Sequence, residues 1–171
     1  MKNFLIIIVL LFFTTAIAKA EQKIVYIDLE KILSKTIAGN QLSNQVKSLS
    51  NKNLKDLEVI EKGLQEDEKQ LVAQQNILSP EEMNKKVITL KKKINEYKKK
   101  RTKKIQELNK IQIDNTNKLM NMINPLLTKY ADKNSISIIL HQKSVIIGRS
   151  ELDVTEEIIT IVNNNIKKFQ I

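Results

Sequence analysis

Between positions 42 and 71 apolar residues return at 42, 46, 49, 54, 57, 60, 64 and 71, a helical spacing rather than the alternation of a strand. No proline interrupts Gly39 to Leu78, so the pattern predicts one long helix, on the order of 60 Å at about 1.5 Å per residue. At Ser79-Pro80-Glu81-Glu82 a new helix begins. Ser79 suits an N-cap, Pro80 the first helical position, and Glu82 the far side of a capping box. The second helix carries a 4-3 spacing through Met83, Val87, Leu90, Ile94, Tyr97, Arg101, Lys104, Leu108, Ile111, Asn115, Lys118 and Met122. Eight of those twelve positions are apolar, which favours a coiled-coil seam. Arg101 and Lys104 form a polar layer in its middle.

So tight a connection makes the helices antiparallel neighbours, with facing residue numbers summing to about 159 for a tip near 79–80. Charge agrees: residues 54–70 hold six acids and three lysines, whereas 85–110 hold twelve basic residues and two acids, so an acidic helix lies on a basic one.

The flanks read differently. Lys23 to Ile27 (KIVYI) is a β-branched alternating run, and Asp28 can cap a short helix over Leu29 to about Lys35. The second long helix continues past Pro125 to about Lys133. ISIIL (136–140) and VIIG (145–148) read as two strands joined by a turn at 141–144. Asp153 caps a last helix, Glu156 to about Lys168, which buries Ile158, Ile159, Val162 and Ile166. The chain thus divides into a β-containing body (21–38 and 120–171) and a helical hairpin arm (39–119). Such a body holds only a small core, and apolar sheet edges invite pairing. Val25, Ile27, Ile136, Ile138, Leu140, Val145 and Ile147 are therefore expected to form an oligomerisation sheet. Pro125 removes the partner of the Asn121 carbonyl and is expected to be either a hinge between arm and body or a fixed kink that steers the helix onto the sheet.

The beginning of the chain adds a location. Lys2, the apolar run Phe4–Phe13 and Ala18-Lys19-Ala20 have the layout of a secretory signal cleaved after Ala20; the run is short for a membrane span. Removing residues 1–20 leaves 27 basic and 19 acidic residues, a net charge of +8. An exported basic protein meets acidic polypeptides, lipopolysaccharide or anionic membrane surfaces rather than nucleic acid. The chain has no cysteine or tryptophan, which excludes a disulfide framework and argues against base-stacking platforms. His141 is the only histidine, so no zinc site forms around it, and no nucleophile motif or phosphate loop accompanies it. With Asp28, Glu151 and Asp153 it is the one conceivable catalytic cluster, and it reads better as a surface residue of a turn. No enzyme, metal or cofactor is expected. Lys91, Lys92, Lys98, Lys99, Arg101 and Lys103 stand out as candidate contacts for a client chain or an anion.

Taken in order, KIVYID at 23–28, the Lys/Glu-rich hairpin, NPLLTKYADKNSISIIL at 124–140, SVIIG at 144–148 and LDVTEEII at 152–159 resemble the Skp/OmpH family of periplasmic chaperones. The unit Asp153-Val154-Thr155 is its most specific element. The resemblance implies a mainly α protein with a small β body, a homotrimer shaped like a jellyfish whose hairpins surround a cavity. It also implies ATP-independent holding of unfolded outer-membrane proteins in the periplasm. A structural coiled-coil adaptor and a lipopolysaccharide-binding protein are the other function classes that composition leaves open.

Overall fold

The computed structural model describes residues 22–171, so the expected signal segment and its cleavage after Ala20 lie outside the described residues. The fold is mainly helical with a small two-stranded sheet. In chain order it runs β1 (Lys23–Ile27), α1 (Leu29–Lys35), α2 (Ile37–Ala73), α3 (Pro80–Lys133), β2 (Ile136–His141) and α4 (Thr155–Asn165), with 3-10 turns at Gln142–Ser144 and Ser150–Leu152.

β1 pairs with β2 in parallel, Val25 opposite Ile139 and Ile27 opposite His141. The register slips between Lys23 and Ile24, so that Ile24 faces Ile138. The irregularity leaves Ser137 as an extra residue in β2. Ile136 and Ile139 thus both pack on the core with Val25, despite their odd spacing. Ser135, just before the strand, is the one described non-glycine residue with positive φ, 53°, at the turn that reverses the chain out of α3.

Helix starts follow local chemistry. Asp28 accepts from the Lys31 N–H to cap α1, and Thr36, fully buried, accepts from the Gly39 N–H to cap α2. Gly39 is required there: a Cβ would lie 1.7 Å from the Leu33 carbonyl oxygen. At the tip, the expected capping box forms in both directions between Ser79 and Glu82.

The core draws on both sequence-distant parts of the chain: Val25, Ile27, Ile32, Ala38 and Leu42 meet Leu119, Ile123, Ile136, Ile158, Val162, Ile166 and Phe169. Thr155 ties these layers together. Its hydroxyl oxygen accepts from the Asp28 N–H at 2.8 Å and donates to the Asp153 carboxylate, which also accepts from the Thr155 N–H.

Three expectations change. Val145–Gly148 is not a strand. The chain turns through the 3-10 turn at 142–144, with the Val145 N–H bonded to the Gln142 carbonyl, and leaves the sheet. The outer edge of β1 is met instead by Asp153, which bridges Tyr26, and by Val154, whose N–H donates to the Tyr26 carbonyl. The sheet among the described residues therefore has two strands rather than at least three. Second, α2 runs over 37–73 rather than 39–78. Turn structure then links Gln74 to the Ser79 cap, although no proline or glycine marks that end. Third, α4 ends at Asn165, and its N-cap is Val154, with no side-chain cap bond, rather than Asp153. Residues 166–171 run on without helix, and Ile166 and Phe169 are nevertheless buried.

Replacing Thr155 by valine keeps its shape but leaves the half-buried Asp28 N–H without its acceptor. Urea denaturation should show a loss of about 1–3 kcal/mol. A midpoint equal to wild type would mean that water replaces the hydroxyl at no cost.

Candidate functional site

The two long helices touch along their length, and residue numbers rise on one as they fall on the other. The Lys93 ammonium lies 2.6 Å from Asp67, the Tyr97 hydroxyl donates to Glu61 at 3.1 Å, and Lys104 reaches Asn53 at 2.7 Å and Asp56 at 3.2 Å. Lys86 donates to Gln74 nearest the tip. Each pair sums to between 157 and 160, close to the expected 159. Tyr97 holds its proton above the usual phenol range, first because its surroundings desolvate the phenolate and then because Glu61 accepts from its hydroxyl. Lys104 is the most covered of these ammoniums. In the middle of the seam it forms a polar layer, donating to Asn53 and Asp56.

The remaining cations divide by face. With about 3.6 residues per turn, Lys92 and Lys99 lie opposite the Leu90–Ile94–Tyr97–Leu108 seam, and Lys91 and Lys98 lie on its flank, Lys98 beside the groove lined by Glu61 and Leu64. All four are exposed, and no ion pair engages them among the described residues. Lys103 stands at the margin of that face, 3.8 Å from Glu107. Arg101 is exposed on the seam's flank. The same lysine-rich face presents Ile88 and Ile113, 58% and 60% exposed. Both lie off the 4-3 positions, the one signal that could have found them. The face is therefore mixed cationic and apolar.

A second apolar surface lies on the sheet. Val25, Ile27 and Ile136 are buried inside the chain's own core, whereas Ile138 and Leu140 are exposed on the opposite face. Ile24, which sequence reasoning passed over, joins them there, opposite Ile138. Val145 is half-buried. Ile146 and Ile147 project almost wholly into solvent, 97% and 92% exposed. Beneath them, Gly148 lets the Tyr26 ring approach, since a Cβ would meet Tyr26 Cε1 at 2.9 Å. The outer edge of β2 has no partner strand among the described residues.

The conceivable catalytic group is held in structural roles. His141 Nδ1 accepts from the Lys143 N–H at 3.0 Å, Asp28 and Asp153 hold the starts of α1 and α4, and Glu151 pairs with Arg149. Among the described residues there is no cluster of three or more metal-binding side chains. No described helix is long and apolar enough to cross a membrane.

A family model for OmpH-like outer membrane proteins matches residues 23–162. The chain belongs to the OmpH-like family. No curated protein gives a significant match. Among solved structures, an OmpH-like protein of Caulobacter crescentus CB15, described as a candidate outer membrane chaperone, aligns with a TM-score of 0.78. The two are 14% identical, and the alignment covers 94% of this chain and 95% of that one. At that identity the likeness establishes a shared OmpH-like fold.

Electrostatics at the tip make a pH prediction. Glu82 is held below the ordinary glutamate value of 4.5, first by the Ser79 hydroxyl and then by the Ser79 N–H. Because the folded value is the lower one, the cap contributes fully above about pH 4.5. It is lost as pH falls through the folded value. A carboxyl titration by NMR should place the Glu82 midpoint below those of glutamates in an unfolded peptide. Protection of the first α3 turn should fade across the same range, and Glu82→Gln should abolish that pH dependence.

Proposed function

We propose that this OmpH-like chain is an ATP-independent periplasmic holdase that binds unfolded outer-membrane proteins and keeps them from aggregating. Membership of the family supports the reading. The observation that carries it is the mixed face of α3, where exposed Lys91, Lys92, Lys98 and Lys99 lie between exposed Ile88 on the tip side and Ile113 on the body side. An unfolded polypeptide offers acidic and apolar groups in no fixed order. Many weak contacts of both kinds hold such a chain while each remains quickly reversible. In this reading α2 and α3 form an antiparallel coiled-coil arm, 39–119, carried by a body made of 21–38 and 120–171. The apolar N-terminal segment is a signal removed after Ala20, and the mature protein is a soluble non-enzyme.

The body supplies self-association. Ile24, Ile138, Leu140, Ile146 and Ile147 form an exposed apolar set beside an open strand edge, the combination that drives pairing between copies. We take the assembly to be a homotrimer with its arms around a shared cavity. Pro125 lies on the exposed side of α3, and core residues flank it on both sides, Ile123 before and Leu126, Leu127 and Tyr130 after. Any hinge at Pro125 works against that packing.

The direct test is light scattering of an unfolded β-barrel protein diluted from denaturant, with and without this chain and with no nucleotide. Suppression at stoichiometric ratios is expected; unchanged aggregation sinks the reading. Changing Lys91, Lys92, Lys98 and Lys99 to glutamine keeps good helix formers. It should slow client association at low salt while leaving helicity intact. The wild-type advantage should shrink by 0.5 M salt, where the Debye length is about 4 Å. Vesicles bearing anionic lipid serve as the second arm: binding to them with no effect on the client would favour an anionic-surface role instead.

Ile138→Asp places a charge on the outer sheet face without touching the core. Sedimentation should show a lower assembly mass than wild type with unchanged helicity. Full assembly in this variant would move the contact elsewhere.

A further inference from the structure

Residues 166–171 leave α4 as an extended segment and cross both long helices at one level. On α2, Gln41 Oε1 accepts from the Phe169 N–H at 2.7 Å. Gln45 Nε2 donates to the Phe169 carbonyl at 3.0 Å, and Gln45 Oε1 accepts from the Ile171 N–H at 3.2 Å. On α3, the Lys118 ammonium donates to the Gln170 carbonyl at 3.2 Å and sits 5.4 Å from the centre of the Phe169 ring. The geometry is matched. One helical turn from Gln41 to Gln45 rises about 6 Å, and two residues of extended chain span about 6.6 Å. The two glutamine amides therefore serve the backbone of this segment as a neighbouring strand would.

The position gives the segment its meaning. Phe169 is buried against the core, and Gln45 and Lys118 stand where α2 and α3 leave it. Farther toward the tip, Leu57 is the one buried side chain on either helix among the described residues. We propose that residues 166–171 are a clasp that binds both helices of the arm to α4 and fixes the direction in which the arm leaves the body. Polar contacts to backbone supply its grip, and Phe169 with the Lys118 cation over its ring supplies its anchor. The clasp is a mechanical device and does not depend on what the arm binds.

The test uses the full chain and hydrogen exchange resolved by segment. Gln41→Ala with Gln45→Ala removes the three hydrogen bonds that these half-buried side chains make to the segment and leaves Phe169 in place; Phe169→Ala removes the anchor. Amides of 42–50 and 112–118 should exchange at least about fivefold faster in the glutamine double variant, the direction set by losing bonds of ordinary strength. Those of β1 and β2 should keep their wild-type rates. Spin labels at Lys69 and Asn164, in a labelled protomer diluted into unlabelled protein, should report a broader distance distribution in the same variant. Phe169→Ala should amplify both effects. Should Phe169→Ala fail to fold, the glutamine variant decides alone. Unchanged exchange in 42–50 and 112–118 overturns the proposal. So does uniform acceleration that includes 23–27 and 136–141, because the segment would then be ordinary core rather than a clasp on the arm.

Discussion

The structure depends on one long-range pairing, the parallel ladder between Lys23–Ile27 and Ile136–His141. Everything between them is a helical excursion that must return to its starting point. Closing so large a loop costs entropy, though the cost grows only slowly with length. The local rigidity of two long helices removes much of the freedom a flexible loop would lose. The ladder alone is short, and a two-stranded sheet is marginal by itself. It persists because α4 and the ends of α2 and α3 pack on one of its faces, with Thr155 joining the end of β1 to the start of α4.

That arrangement leaves one face of the sheet uncovered, and the consequence is chemical. Both faces of β1 and β2 are apolar, a pattern of strands buried on two sides, yet the single chain covers only the face of Val25, Ile136 and Ile139. Ile24, Ile138 and Leu140 are left over, and the run at 145–148 is carried away from the sheet with Ile146 and Ile147 in solvent. A local propensity for strand is satisfied only where an edge is offered to it. The apolar run therefore informs about surfaces available to another copy rather than about the sheet within one.

Charge on the long helices sorts by the same logic of what faces what. Lys93 and Lys104 lie toward α2 and find Asp67 and Asp56, so their charge is absorbed within the chain. Lys91, Lys92, Lys98 and Lys99 differ from them by only a position or a few, yet none is paired across the seam among the described residues. Exposed ion pairs along such a seam contribute little individually, and the seam relies instead on Leu57, Leu64, Leu90, Ile94 and Leu108. The polar layer at Lys104 lowers the seam's apolar content at mid-length, where a uniformly rigid rod would place leucine.

Helix identity was legible because its causes are local: the 4-3 spacing of α3, the Ser79–Glu82 box and the Asp28 cap each lie within a turn of the residues they govern, and the facing register followed from the tightness of one connection. The two ends that were misplaced, Ala73 and Asn165, carry no proline or glycine, so no local breaker marks where those helices stop. A resemblance carried by the order and spacing of motifs likewise pointed to the family, and the lysine cluster was visible in the sequence itself. Tertiary structure alone decided which lysines are spent across the seam, which isoleucines of the sheet are inside, and that Phe169 is core. Those outcomes depend on partners distant in sequence, from Lys93 with Asp67 across the seam to Gln41 with Phe169 and Tyr26 with Asp153, both more than a hundred positions apart. A spacing rule reads periodicity along a chain, and it has no access to which face a distant segment will cover.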